Sequence, residues 1–139
     1  MVHLILGNKG KGKTKVVIDN ANAMIKEAKG SIVYIDQSLR HMYELNNKIR
    51  LVNIKDYGIK NKDEMIGFIS GIISQNRDIE YLYMDGLLKL DDVNAEDVDY
   101  VVRKLDSICA TYKIDMTVSL SLNADDLAED LREMVQTAL

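Results

Sequence analysis

Val2-His3-Leu4-Ile5-Leu6-Gly7-Asn8-Lys9-Gly10-Lys11-Gly12-Lys13-Thr14 is the stretch whose reading decides the fold. Val2 to Leu6 is a short, nearly continuous apolar run, the pattern of a strand buried on both faces of a sheet. Gly7 to Thr14 fits G-x-x-x-x-G-K-[ST] in full, directly after that strand and directly before a helical pattern, as the motif requires. Glycines let the backbone wrap closely around phosphate oxygens and turn successive N–H groups inward. The helix opening at Lys13 adds its positive end. On this reading Gly7, Asn8, Lys9, Gly10, Lys11, Gly12, Lys13, Thr14 and Lys15 form a nucleotide-binding loop. Lys13 reaches the β- and γ-phosphates, and the Thr14 hydroxyl ligates Mg²⁺.

Strand and helix patterns alternate along the rest of the chain. A helix follows the loop, with Val17, Ala21, Met24 and Ala28 on one stripe and Gly30 placed to end it. Ser31 to Ile35 reads as a second strand closing in Asp36, and Leu51 to Ile54 as a third, with a helix from about Ser38 to Lys48 between them. Asn61 is placed to cap a helix whose apolar side carries Met65, Ile66, Ile69, Ile72 and Ile73, and its Gly67 and Gly71 suit close packing on a sheet. Ile79 to Met84 is strand four, ending in Asp85. Asn94 opens a helix with Val98, Val101, Val102, Leu105 and Ile108 inward. Met116 to Leu122 is strand five, and a last helix from near Asn123 buries Leu127, Leu131 and Met134. Five strands joined by helical crossovers call for a parallel sheet covered on both faces, a three-layer αβα arrangement in a single domain over 1–139. Ligands in such sheets bind at the carboxyl ends of the strands.

Composition supports one globular domain. The chain has 139 residues, 47% apolar and 29% charged, with no proline and one cysteine. These values exclude a disordered chain, a collagen-like repeat and a disulfide scaffold, and no stretch approaches the roughly 20 apolar residues of a membrane span. A cytoplasmic location is expected. Residues 1–62 hold 12 basic and 5 acidic side chains, a net +7, whereas residues 63–139 hold 6 and 17, a net −11. The acidic half argues against broad nucleic-acid binding, which needs a positive surface. Acidic stretches from Asp91 to Asp106 and from Asp125 to Glu133 are available as partner surfaces.

Magnesium held on phosphates also calls for a carboxylate at the end of a neighbouring strand. Asp85 after Tyr81-Leu82-Tyr83-Met84 fits that place. Asp36 ends another strand and is suited to orient attacking water or to stand in the metal's outer shell. Lys13, Asp36 and Asp85 are therefore the catalytic candidates, and Thr14 and Asp85 the metal candidates. Ser119, Ser121 and Asn123 give strand five a polar end, with Ser121 and Asn123 as γ-phosphate sensor candidates; Asn123 equally suits a helix N-cap. Cys109 lies on an apolar stripe and reads as core, and neither His3 nor His41 has a partner at catalytic spacing.

With these motifs in place, nearly the whole chain resembles a RecA-like P-loop NTPase stripped to its core. It is also similar to small stand-alone bacterial ATP-binding proteins sometimes labelled PilT-like. The resemblance implies a five-stranded sheet in the order 3-2-4-5-1, with the Asp36 and Asp85 strands as neighbours. Many members carry a glutamate beside one of the acidic strand ends to polarise water. Here Gly86 follows Asp85, and Gln37 and Ser38 follow Asp36, so that role falls to Asp36 or Gln37 or is unfilled. No arginine finger is assignable among Arg40, Arg50, Arg77, Arg103 and Arg132. The expectation is a module that binds Mg-ATP (or another NTP), hydrolyses slowly or only with a protein partner or on self-assembly, and switches on nucleotide state. Two alternatives stand beside it. One is a nucleoside or nucleotide kinase, since Met84-Asp85-Gly86-Leu87 resembles the Asp-Gly turn of adenylate-kinase-like enzymes. The other is a non-hydrolysing nucleotide-binding interaction protein.

Overall fold

The computed structural model describes residues 1–90 and 92–139, so the acidic stretch expected from Asp91 is described from Asp92 onward. Six parallel strands form one sheet: β1 (Val2–Leu6), β2 (Ser31–Asp36), β3 (Arg50–Asn53), β4 (Ile79–Met84), β5 (Asp115–Leu120) and β6 (Val135–Ala138). Their order is β3-β2-β4-β5-β1-β6. The five-stranded sheet expected from sequence is thus corrected to six strands in the order 3-2-4-5-1-6. The sixth arises where a final helix was expected. After β5 the chain makes two short 3₁₀ segments, Ala124–Asp126 and Glu129–Met134, then enters β6. Leu127 and Leu131 are buried as that expected helix required, but they are buried from turns. Two features favour the turns. Asn123 and Asp126 close a capping box on one 3₁₀ segment, and the Arg132 guanidinium donates to the Ala124 carbonyl at 3.0 Å. The β1 edge is then left open to β6, which pairs Leu4 with Val135, Ile5 with Thr137 and Leu6 with Ala138.

Strand alternation divides the core between two faces. On one face Ile5, Ile32, Tyr34 and Tyr83 pack against Val17, Ile18 and Ala21 of α1 (Lys13–Met24). On the other, Val2, Leu4, Leu6, Val33, Ile35, Leu82, Met84, Met116 and Val118 meet α2 (Lys62–Gln75) and α3 (Val98–Tyr112). Asn61 caps α2 through its side chain, which accepts from the Glu64 amide. Asn94 caps a 3₁₀ turn (Ala95–Asp97) that leads into α3. Gly67 and Gly71 do not pack closely: both are exposed, and a methyl on either would meet no atom within 4 Å. Met65, Ile69 and Ile73 make the buried contact of α2 instead.

The helix expected from Ser38 to Lys48 is also absent; one 3₁₀ turn, Met42–Glu44, stands there. Asn22 of α1 explains this locally. Its side chain donates to the Glu44 carbonyl and accepts from the Asn46 amide, both at 2.8 Å, taking backbone groups that a helix would pair internally. Leu45 and Ile49 still reach the α1-side core.

Candidate functional site

Four strands deliver polar residues to one end of the sheet, where α1 begins. The loop after β1 turns back through a bond from the Lys11 amide to the Asn8 carbonyl at 3.2 Å. Gly10 and Gly12 hold φ of 88° and 91°, left-handed values that side chains with a Cβ adopt at a cost of roughly 1–2 kcal/mol. Gly12 sits immediately before α1 as its N-cap, with no side-chain cap bond. The first helical N–H groups therefore face the loop without a side-chain partner at the cap. Lys13 is buried at its base, and its ammonium donates to the Asn8 carbonyl at 3.3 Å across the loop. Burial is the largest influence on Lys13 and lowers its pKa, while the Asp85 charge opposes that shift. Asn8, Lys9, Lys11 and Lys15 are exposed around the loop, with Lys15 paired to Asp19 at 2.9 Å.

Asp85 lies directly past β4 and is 2% exposed. Both carboxylate oxygens are engaged: Thr14 Oγ1 donates to Oδ2 at 2.7 Å, and Ser119 Oγ donates to Oδ1 at 2.6 Å. Ser119 in turn accepts from the Gly86 amide at 2.8 Å. Two short sequence signals 71 residues apart are thus brought into contact. Their oxygens are hard donors, the class that suits Mg²⁺. Among the described residues no group of three or more His, Cys, Asp or Glu side chains gathers as a metal cluster. A hydroxyl and a carboxylate are the two protein oxygens that could be offered to a Mg²⁺ ion, which usually keeps waters and substrate phosphates as its other ligands.

Asp36 ends β2 beside this pair, 6% exposed. Oδ1 accepts from the Gln37 amide at 2.7 Å, while Oδ2 is buried with no hydrogen-bond partner. Burial raises its pKa, helped by the nearby Asp85 charge and opposed by the Gln37 bond. Gln37 reaches across to donate its amide to the Gly86 carbonyl at 2.5 Å. Gly86 is thereby held from both sides, by Ser119 and by Gln37.

Of the strand-five residues, Ser119 is the one in the network. Ser121 is exposed, and Asn123 is exposed and engaged in the capping box with Asp126. Gln37, named from sequence beside Asp36 for polarising water, makes a long-range bond to Gly86 that sequence did not signal. Lys89, which carried no signal of its own, comes near because Gly86 turns the chain at φ 77° and lays the Lys89 stem against itself. Cys109 is buried in α3. His3 pairs with Asp115 at 3.3 Å; His41 pairs with Glu44 and is close enough to Asp36 to oppose the rise of its pKa.

The parallel sheet and its site end define a RecA-like α/β core. The comparisons agree at that level. The chain is similar to the crystal structure of flagellar accessory protein FlaH from Methanocaldococcus jannaschii, with a TM-score of 0.58 and 16% identity over 96% of this chain. The match spans 65% of the length of that structure, just under two thirds. At this identity the likeness carries the fold. No family model matches the sequence, and no curated protein does so either. No helix is long and apolar enough to cross a membrane among the described residues.

Proposed function

We propose that this chain is a Mg²⁺-dependent nucleotide-binding module, with ATP as the reference ligand, that hydrolyses slowly or only with a partner. The observation that carries the reading is the Thr14–Asp85 contact at the foot of a loop whose two left-handed glycines lead into α1. In this account Gly7 to Thr14 present backbone N–H groups and the α1 dipole to the phosphates, with Lys9, Lys11 and Lys15 raising the local positive potential. Lys13 leaves the Asn8 carbonyl for the β- and γ-phosphates. Thr14 and Asp85 hold Mg²⁺, which neutralises phosphate charge as it develops. Asp36 Oδ2, buried and unpartnered, is the acceptor available to orient an attacking water. Ser119, rather than Ser121 or Asn123, carries the state of Asp85 to the Gly86 turn.

The kinase reading draws less support. The segment between β4 and β5 forms 3₁₀ turns and α3, which packs on the sheet, where an adenylate-kinase-like enzyme would need a lid. The reading includes a protein partner or self-assembly through which hydrolysis does work, and a cytoplasmic setting. Phosphate release by the isolated chain in Mg-ATP tests the slow-hydrolysis part, with turnover expected below about 1 per second. A faster turnover that Asp36→Asn leaves unchanged would overturn both the slow rate and the role given to Asp36.

A further inference from the structure

We propose that Lys89 is a second phosphate-binding cation of this site, supplied by the chain itself and directed at the terminal phosphate of a bound triphosphate. This rests on the nucleotide-binding reading and adds a residue to it. Lys89 closes a 3₁₀ turn, Leu87–Lys89, that begins directly after Asp85-Gly86. Its amide donates to the Gly86 carbonyl at 3.0 Å. That same carbonyl accepts from Gln37, and the Gly86 amide donates to Ser119. Buried Leu87 and Leu90 anchor the turn on either side of the exposed lysine.

The side chain folds back over Gly86. A Cβ built there would lie 2.6 Å from Lys89 Cδ and 3.0 Å from Cε, so a side chain at position 86 would displace the stem from this place. The ammonium is close enough to act electrostatically on both Lys13 and Asp36. Lys13 from the loop after β1 and Lys89 from the turn after β4 thus stand beside the Asp36 and Asp85 carboxylates, and with the exposed Lys9 and Lys11 of the same loop they supply more positive than negative charge for a polyanion to meet.

Among the arginines, Arg40 also follows a strand that ends at the site, but it is exposed, with its guanidinium 3.5 Å from His41 Nε2. Arg103 is bound to Asp130, Arg132 bonds carbonyls of the Ala124 turn, and Arg50 opens β3 and Arg77 precedes β4 at the opposite end of the sheet. A lysine fixed in the same chain would take the place of a cation contributed by a partner.

The test is calorimetric titration of the full chain with Mg-ADP and with a Mg-bound non-hydrolysable ATP analogue, for wild type, Lys89→Ala and Lys89→Arg. Lys89→Ala is expected to weaken the triphosphate analogue roughly 10- to 100-fold, with ADP affinity little changed and Lys89→Arg recovering most of the loss. Equal loss for both ligands, or no loss for either, overturns the assignment while leaving nucleotide binding in place. Wild-type protein that binds neither ligand would bring down the nucleotide reading and the Lys89 role with it.

Discussion

Thr14 and Asp85 share a 2.7 Å hydrogen bond in which the hydroxyl donates and the buried carboxylate accepts. Asp85 fills its other oxygen with Ser119. The geometry predicts that Thr14→Ala and Asp85→Asn act on metal dependence more than on folding. In wild type, chelating Mg²⁺ should lower triphosphate affinity by about tenfold or more. In either variant the affinities with and without Mg²⁺ should converge, as read by titration in Mg²⁺ and in EDTA.

Ser119 is fully buried and satisfies two groups at once, the Asp85 carboxylate and the Gly86 amide. Ser119→Ala leaves both short of a partner, and the expected cost is about 1–3 kcal/mol. Thermal or urea unfolding without ligand should show this loss. Ser121→Ala, at an exposed position, should stay within about 0.5 kcal/mol.

Asp36 predicts a pH-dependent stability of definite sign. Its pKa is raised in the fold, first by burial and then by the Asp85 charge, so the folded chain holds that proton more tightly than the unfolded chain. The penalty for the charged form is absent below the ordinary aspartate range, grows as pH rises towards the folded pKa, and is complete above it. Asp36→Asn should therefore raise the ligand-free Tm at neutral pH. The gain should vanish at acid pH. A gain that persists at low pH would place its cause elsewhere than in the charge.

Cys109 should be chemically silent in the folded chain. It is 1% exposed, and burial pushes its thiol up to about 11, whereas the thiolate is the reactive form. Thiol reagents at neutral pH should label it only at the rate at which the fold opens, and immediately in denaturant.

The first strand, the glycine loop and the two aspartates at strand ends were legible because each is a local signal: an apolar run, a fixed spacing, a polar residue closing a strand. The elements misread from sequence depend on distant partners. The region from Ser38 to Lys48 has helical spacing at Leu45 and Ile49, but Asn22 captures its backbone groups. The final helix pattern at Leu127 and Leu131 is real burial made by turns, and Val135–Ala138 becomes a strand because the β1 edge lies open to it. In the site, the roles of Ser119, Gln37 and Lys89 all pass through Gly86, whose bonds join strands that sequence order does not place together.

The most direct test of the central claim is thermal unfolding of wild type and Lys13→Ala with Mg²⁺ and ATP, GTP, ADP or AMP. Ligand at 100 times its dissociation constant should stabilise wild type by about 2.7 kcal/mol, a shift of a few degrees. The account predicts that shift with tri- and diphosphate, little with AMP, and none in Lys13→Ala. No shift for wild type with any of the four would contradict it.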